Sequence, residues 1–261
     1  MGKPSRAAVT PVPTDLASAD QPGAAGEAGL VALANTTNDL SLKESAILAL
    51  LKRARDPVEF QALARLSAPA IGQVMAAHPV LRDPVQFAAA AAAAGDVASA
   101  KAARAEVGQG GSAPPSPVDL AVLDGLIAAA ATQPDLVALD ALDAVAAHAE
   151  GPARTRTGGA LALLGGLGAP LSAQERFDVA GSDLGPAALA PGRALALDQA
   201  ADAGRIGDVA LYVLAQAADA GPAGPAPGDR ALLVRALARG HLDADARAYA
   251  IEGLVALQTR P

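Results

Sequence analysis

The stretch Arg55-Asp-Pro-Val-Glu-Phe60 returns almost unchanged as Arg82-Asp-Pro-Val-Gln-Phe87, and a looser copy follows at Ser116-Pro-Val-Asp-Leu120. This order of residues is typical of a helix start. The Asp or Ser side chain accepts a hydrogen bond from a free backbone N–H, and proline occupies the first helical position, where its missing N–H has no cost. The copies lie 27 and 33 residues apart, which is about the length of a helical hairpin. The repetition therefore predicts successive helical hairpins.

A second repeated feature is a glycine followed two residues later by a branched apolar residue. The copies are Gly95-Asp-Val97, Gly204-Arg-Ile206 and Gly240-His-Leu242. Glycine readily adopts the positive φ that ends a helix. We therefore expect each glycine to close the first helix of a hairpin, and an alanine five or six residues later to begin the packed face of the second.

The last two copies share a longer pattern. Pro191-Gly-Arg-Ala-Leu195 precedes Gly204, and Pro227-Gly-Asp-Arg-Ala-Leu232 precedes Gly240, so prolines and glycines both recur after 36 residues. Another helix start is predicted at Ser41-Leu-Lys-Glu44, where serine and glutamate form a capping box. The aromatic residues are expected to anchor the core from within helices, with the tyrosine hydroxyls reaching the surface: Phe60, Phe87, Phe177, Tyr212 and Tyr249.

Composition supports a helical fold. The 261 residues include 71 alanines and 34 leucines. Alanine has the highest helix propensity, and its small side chain lets helices approach closely. Few bulky side chains remain to fill a thick interior. We therefore predict an all-α protein, an α-solenoid-like array of short helical hairpins, each packed mainly on its neighbours.

The segment Ala88–Ala103, with its turn Gly95-Asp-Val-Ala-Ser-Ala100, resembles the helix–turn–helix unit of the tetratricopeptide (TPR) repeat. The region 190–257 resembles two further hairpins of that kind. The bulky aromatic residue expected early in the first helix of the repeat is absent from these later copies. The resemblance implies a stacked helical array with surfaces for protein–protein interaction, and it implies no particular binding residue.

The predicted organisation has four parts. Residues 1–28, rich in Pro, Ala and Gly, form a flexible arm. Residues 29–108 form N-terminal helical hairpins, and residues 118–261 form C-terminal ones. The Gly/Pro/Ser-rich segment 109–117 between them is a linker or a surface loop.

Charge and cysteine content exclude several classes of function. The net charge of −7 and the 2 % of aromatic residues argue against nucleic-acid binding, which needs dense basic residues or stacking platforms. With no cysteine, the chain has no disulfides, thiolate zinc sites or cysteine nucleophiles. No apolar stretch is long enough for a transmembrane helix.

Motifs for chemistry are equally scarce. Of the three histidines, His241 lies near Asp243 and Asp245, a set that resembles a metal site but fits a helix cap and a solvated turn better. The glycine-rich run Gly158–Gly168 lacks the Lys-Ser/Thr of a phosphate loop and fits close helix packing with a glycine after the helix. We therefore predict no catalytic, cofactor-binding or metal-binding residue, and no enzyme activity.

These features together predict a non-catalytic interaction or scaffold subunit that binds a protein partner, as a subunit of an assembly. The partner-binding residues predicted are Tyr212, Arg235, Arg239 and Tyr249, because Tyr and Arg are enriched in binding hot spots. The alternative is a helical accessory region of a cell-envelope enzyme or cell-wall-associated protein. With no signal peptide visible after Met1 the sequence reads as cytoplasmic, whereas a fragment of a longer envelope protein would be periplasmic.

Overall fold

A computed structural model of the chain describes residues 13–77, 80–109, 114–132, 136–221 and 223–258. These residues form fourteen α-helices and no strand, so the predicted all-α class is confirmed. The helices are α1 (Leu16–Ala19), α2 (Gly23–Thr36), α3 (Leu40–Leu51), α4 (Pro57–Ala76), α5 (Pro84–Ala94), α6 (Val97–Glu106), α7 (Pro117–Ala130), α8 (Leu136–Ala146), α9 (Gly151–Gly166), α10 (Ala173–Ala180), α11 (Pro191–Asp202), α12 (Ile206–Ala220), α13 (Pro227–Arg239) and α14 (Asp243–Leu257).

The three predicted helix starts are confirmed. Asp56 accepts the backbone N–H of Glu59 at 2.8 Å, and Asp83 accepts that of Gln86 at 3.0 Å. Ser116 caps α7 in the same way. Proline is the first residue of α4, α5 and α7, so one local rule sets the beginning of all three helices.

The capping box predicted at Ser41 is wrong. Helix α3 begins at Leu40, and its cap is Asp39, whose carboxylate accepts the N–H groups of Ser41 and Leu42. Glu44 is buried and accepts the backbone N–H of Arg82 at 2.6 Å. The prediction failed because the Asp39 carboxylate, two residues before Ser41, takes the capping role. Glu44 instead joins α3 to the segment before α5.

The hairpin turns follow the prediction in two copies of three. Gly95 and Gly204 have φ of 87° and 64°, the left-handed conformation that closes a helix. Gly240 has a φ of −79°, and the left-handed residue is His241, with φ 61°. The reason is length, because α13 has 13 residues and α11 has 12. The turn is displaced by one position.

The described part of the segment 1–28 differs from the predicted flexible arm. Residues 1–12 lie outside the described residues, but α1 and the start of α2 fall within the segment. The guanidinium of Arg53 donates to the Asp20 carboxylate and to the carbonyl groups of Gln21 and Gly23. An arginine 30 residues later in the chain therefore fixes the turn between α1 and α2, which local composition does not reveal.

The segment 109–117 connects helices that pack on each other. Residues 110–113 lie outside the described residues, and α7 begins at Pro117. On either side of the segment, Arg104 of α6 pairs with Asp124 of α7, with its Nε 2.7 Å from Oδ1. The buried hydrophobic residues before and after the segment belong to one core.

Helix α14 departs from strict neighbour-to-neighbour stacking. From α2 to α9 each helix packs on the next along the chain, but α14 returns to lie against α4, α5, α7 and α9. In an open helical-repeat array each unit contacts only its neighbours. A Cβ at Gly253 would lie 2.5 Å from the Arg230 side chain and 2.8 Å from that of Leu163. Its small residues thus let α14 occupy the centre of the molecule.

Candidate interaction surface

Large apolar side chains are exposed mainly on one part of the molecule. Eleven such side chains are exposed among the described residues, and six of them lie between residues 177 and 232: Phe177, Leu195, Ile206, Leu211, Leu214 and Leu232. The other five are spread over residues 40–137. Single exposed apolar residues are common on soluble proteins, whereas a concentration of them marks a contact surface.

The position of Phe177 differs from the prediction. We expected it to anchor the core, but its side chain is 68 % exposed on α10. Phe60 and Phe87 are buried as predicted. Helix α10 has only eight residues, and the face that it turns inward carries Glu175 and Asp178. The short helix therefore points its aromatic ring to solvent.

Helix α12 buries Val209, Val213 and Gln216 against the rest of the molecule. Its polar residues Asp208, Tyr212, Gln216 and Asp219 share one helix face. Gln216 is only 1 % exposed, and its Oε1 accepts from Arg193 Nη1 of α11 at 2.8 Å. The same Nη1 lies 2.7 Å from Asp219 Oδ2. This arginine fixes the rotation of α12 about its axis and leaves Leu211 and Leu214 facing solvent.

Ion pairs hold α11 beside α13. Asp198 accepts from Arg235 at 3.1 Å and from Arg239 at 3.3 Å, and Asp202 also pairs with Arg239. The pairs Asp198–Arg235 and Asp202–Arg239 keep the same separation along the chain. The two helices therefore run parallel, as the first helices of successive hairpins do in a stacked array.

A groove of about 930 Å³ lies between α9 and α13. We call it the α9–α13 groove. Small residues of α9 line it, among them Gly165 and Gly166, and a Cβ on Gly166 would lie 2.8 Å from the Ala231 carbonyl oxygen. Leu232 and Arg235 of α13 also line it. Close packing of α9 on α13, which glycine permits, thus defines the groove.

A buried carboxylate holds one wall of the groove in place. Asp229 accepts the backbone N–H groups of Ala188 and Leu189 at 2.7 and 2.9 Å. These bonds attach the connection between α10 and α11 to the start of α13. The wall is therefore shaped before any partner binds, which lowers the entropy lost on association.

The predicted partner-binding residues fall into two places. Arg235 and Arg239 lie together on α13, joined through Asp198, and Arg235 lines the α9–α13 groove. Tyr212 is half-buried on the neighbouring helix α12. Tyr249 lies on α14 in a different cluster, and its hydroxyl is buried rather than at the surface as expected.

The Tyr249 cluster joins α13 to α14. The Arg230 guanidinium lies 4.5 Å from the centre of the Tyr249 ring, and its Nη1 is 3.4 Å from a Glu252 carboxylate oxygen. Burial raises the pKa of Tyr249, and it raises the pKa of Glu252 despite the nearby arginine. The position of Glu252 matches that of Gln216 in the preceding hairpin, 36 residues earlier. Each hairpin thus joins its two helices by an arginine bonded to an equivalent polar residue.

A second cavity of about 540 Å³ lies where α3, α5, α7 and α14 meet. The two carboxylates that line it already have partners. Asp83 caps α5, and Asp119 pairs with Arg156 of α9. The cavity therefore presents no free acid–base pair for chemistry.

Acidic residues also meet between α8 and α10. Burial, followed by repulsion from Glu175 and Asp178, raises the pKa of Asp143. Within the described ranges no group of three or more His, Asp or Glu side chains is placed to hold a metal ion. In that same part of the chain, no helix is long and apolar enough to cross a membrane.

Sequence reasoning missed the exposed leucines of α12 and the clamp formed by Arg193. A signal was present, since Asp208, Tyr212, Gln216 and Asp219 recur at helical spacing. The sequence does not say which apolar residues beside this polar face point inward, and the structure buries Val209 and Val213.

No family model, no curated protein and no solved structure matches this chain significantly. We therefore infer the function from the geometry of the chain itself.

Proposed function

We propose that this protein is a non-catalytic interaction or scaffold subunit, built on a tetratricopeptide-like array of helical hairpins, that binds a protein partner in the α9–α13 groove. The observation that carries the proposal is the groove itself. It is a large, preformed concavity with an apolar lining, beside the part of the surface where exposed apolar side chains are concentrated. Exposed apolar patches of this kind are typical of protein contact sites.

The repeat architecture is supported by the equivalence of the last two hairpins. Both begin with proline, both join their helices through an arginine side chain, and their first helices run parallel. Neighbouring hairpins of this kind expose side chains that vary without affecting the packing between repeats. That freedom suits a binding surface.

The groove has chemistry suited to a peptide segment with apolar side chains. Leu171, Val179, Leu184 and Leu232 supply apolar contact area, and Arg176 and Arg235 supply cationic groups for hydrogen bonds to backbone carbonyls or carboxylates. Arg235 is the residue shared by the prediction from sequence and by this groove.

Affinity capture with variant baits tests the proposal. The full chain, immobilised, is exposed to a lysate of its native cells, and captured proteins are identified by mass spectrometry. The groove variant combines Ala187→Arg with Leu232→Glu, since both residues line the groove. The control is Leu66→Glu, an exposed leucine on α4 outside the groove.

We expect the wild-type and control baits to recover the same proteins, and the groove variant to lose at least one of them by about tenfold or more. Melting curves of all three baits establish that the substitutions leave the fold intact. Identical recovery by the groove variant and the control, or recovery of nothing reproducible by the wild type, contradicts the proposal.

A further inference from the structure

The outward side of α12 carries no polar group. It consists of Gly207, Leu211, Leu214, Ala215 and Ala218, all exposed, and we call it the α12 outer face. The two leucines are 67 % and 65 % exposed. None of these residues lines the α9–α13 groove, so the face is a second surface, separate from the one proposed to bind a partner protein.

The exposure of this face is determined by the fold. Arg193 bonds to both Gln216 and Asp219, which holds the opposite side of α12 against α11. Rotating the helix to bury its leucines would break these contacts and would expose the buried amide of Gln216. The apolar side therefore remains available to another molecule.

The spacing of residues on the α12 outer face is symmetric about the midpoint between Tyr212 and Val213. Leu211 and Leu214 are equally distant from that midpoint, and so are Gly207 and Ala218. When two copies of α12 pack antiparallel about a two-fold axis, Leu211 of one copy lies opposite Leu214 of the other. Gly207 then lies opposite Ala218, and these small residues let the helices approach closely. An interface made from one patch must be self-complementary in this way.

The charges at the two ends of α12 fit the same arrangement. Arg205 stands just before the helix and Asp219 near its end, both largely exposed, at 56 % and 61 %. Antiparallel pairing brings Arg205 of each copy toward Asp219 of the other. It also opposes the two helix dipoles. Within its own copy Arg205 also pairs with Asp208 and Asp219 with Arg193, so the attraction between the copies extends existing ion pairs.

We infer that two copies of this chain associate through their α12 outer faces, antiparallel and about a two-fold axis. A helix of 15 residues is about 22 Å long. The contact is therefore at the small end of specific interfaces, below the roughly 1,600 Å² of an ordinary stable complex. The dimer should be weak and reversible, with a dissociation constant on the order of tens of micromolar.

Sedimentation velocity of the purified full chain, at concentrations from about 5 to about 300 μM, tests this inference across the range in which such a dimer forms. One variant carries Leu211→Lys with Leu214→Lys, and a second carries Leu211→Glu with Leu214→Glu. Leu66→Glu on α4 is the control. The wild type and the control should dimerise with rising concentration, whereas each α12 variant alone should weaken dimerisation at least about tenfold through repulsion between equal charges.

Mixing the two α12 variants gives the sharpest outcome. In the antiparallel arrangement every lysine faces a glutamate, so the mixture should form heterodimers that neither variant forms alone. The inference is overturned if the wild type stays monomeric throughout, if the α12 variants dimerise as the wild type does, or if the mixture stays monomeric. None of these results bears on the groove, which the capture experiment tests separately.

Discussion

The last two hairpins are alike in their local structure and opposite in their place in the molecule. In both, proline begins the first helix, and an arginine joins the two helices by contacting Gln216 in one case and Glu252 in the other. Yet α14 lies at the centre, against α4, α5, α7 and α9, while α12 lies at the edge with its leucines in solvent. The same local pattern therefore produces a core element and a contact surface.

The side chains on the second helix account for this difference. Where α12 has Leu214, α14 has the fully buried Ala250, 36 residues later. Where α12 has Ala218, α14 has the fully buried Leu254. Small residues let α14 fit between several helices, whereas the two leucines of α12 have no cavity to fill.

Shortening a leucine on each helix should show the largest contrast. Leu254→Ala should destabilise the protein by about 3 kcal/mol, because it removes a fully buried side chain and leaves a cavity. Leu214→Ala should change stability by less than about 0.5 kcal/mol. Urea denaturation followed by circular dichroism measures both, and comparable losses would refute the assignment of one helix to the core and the other to the surface.

Enlarging the equivalent alanine probes the comparison from the other side. Position 250 of α14 corresponds to Leu214 of α12, so Ala250→Leu gives α14 the leucine that α12 carries. Overpacking this buried site should lower the free energy of unfolding by about 1–3 kcal/mol. Position 218 of α12 corresponds to Leu254 of α14, so Ala218→Leu is the reverse exchange. It should leave the free energy of unfolding almost unchanged because the site is exposed. Thermal melting of the two variants at low protein concentration is the check, and an unaffected Ala250→Leu protein would show that α14 is loosely packed.

Removing the ion pairs between α11 and α13 should loosen the peripheral hairpin alone. Arg235→Ala with Arg239→Ala deletes partly exposed pairs worth at most about 1 kcal/mol each. Global stability should fall slightly, while tryptic cleavage after Arg205 in the α11–α12 turn should accelerate several-fold. Cleavage after Arg82, which is far from this hairpin, serves as the internal control and should keep its rate.

The pH dependence of stability should distinguish the hairpins by a smaller effect. Burial raises the pKa of Glu252 in the folded state, so its contribution to stability is present at low pH and is lost as pH rises through that pKa. Gln216, its equivalent in α12, does not titrate. The stability of the wild type relative to Glu252→Gln should therefore increase as pH is lowered from about 7 to about 5. Melting temperatures of both proteins across this range measure the trend, and a difference that is constant or shrinks on acidification would contradict it.

Local rules made part of this fold predictable. Asp56 and Asp83 cap helices as expected because the cap, the proline and the bonded N–H lie within four residues of one another. The cap predicted at Ser41 was wrong because Asp39 accepts the N–H groups at the start of α3 instead. The turn at His241 moved by one residue because α13 is longer than its counterpart, a length that the repeated glycines did not reveal.

The central position of α14 could not be predicted in this way. Its apolar residues are distributed around the helix, so no single face indicates a direction of packing. The sequence predicted only part of the candidate interaction surface. Arg235 was chosen for its residue type and does line the groove, whereas the exposure of Leu211 and Leu214 depends on a contact made by Arg193 of another helix.

Hydrogen exchange of the full chain tests the contrast between the two hairpins most directly. At a concentration of a few micromolar, below the expected dimerisation range, amides of α14 should exchange only through global unfolding, and amides of α12 should exchange at least about tenfold faster through local opening. Equal protection of residues 206–220 and 243–257 at that concentration, or slower exchange in α12, would contradict the account.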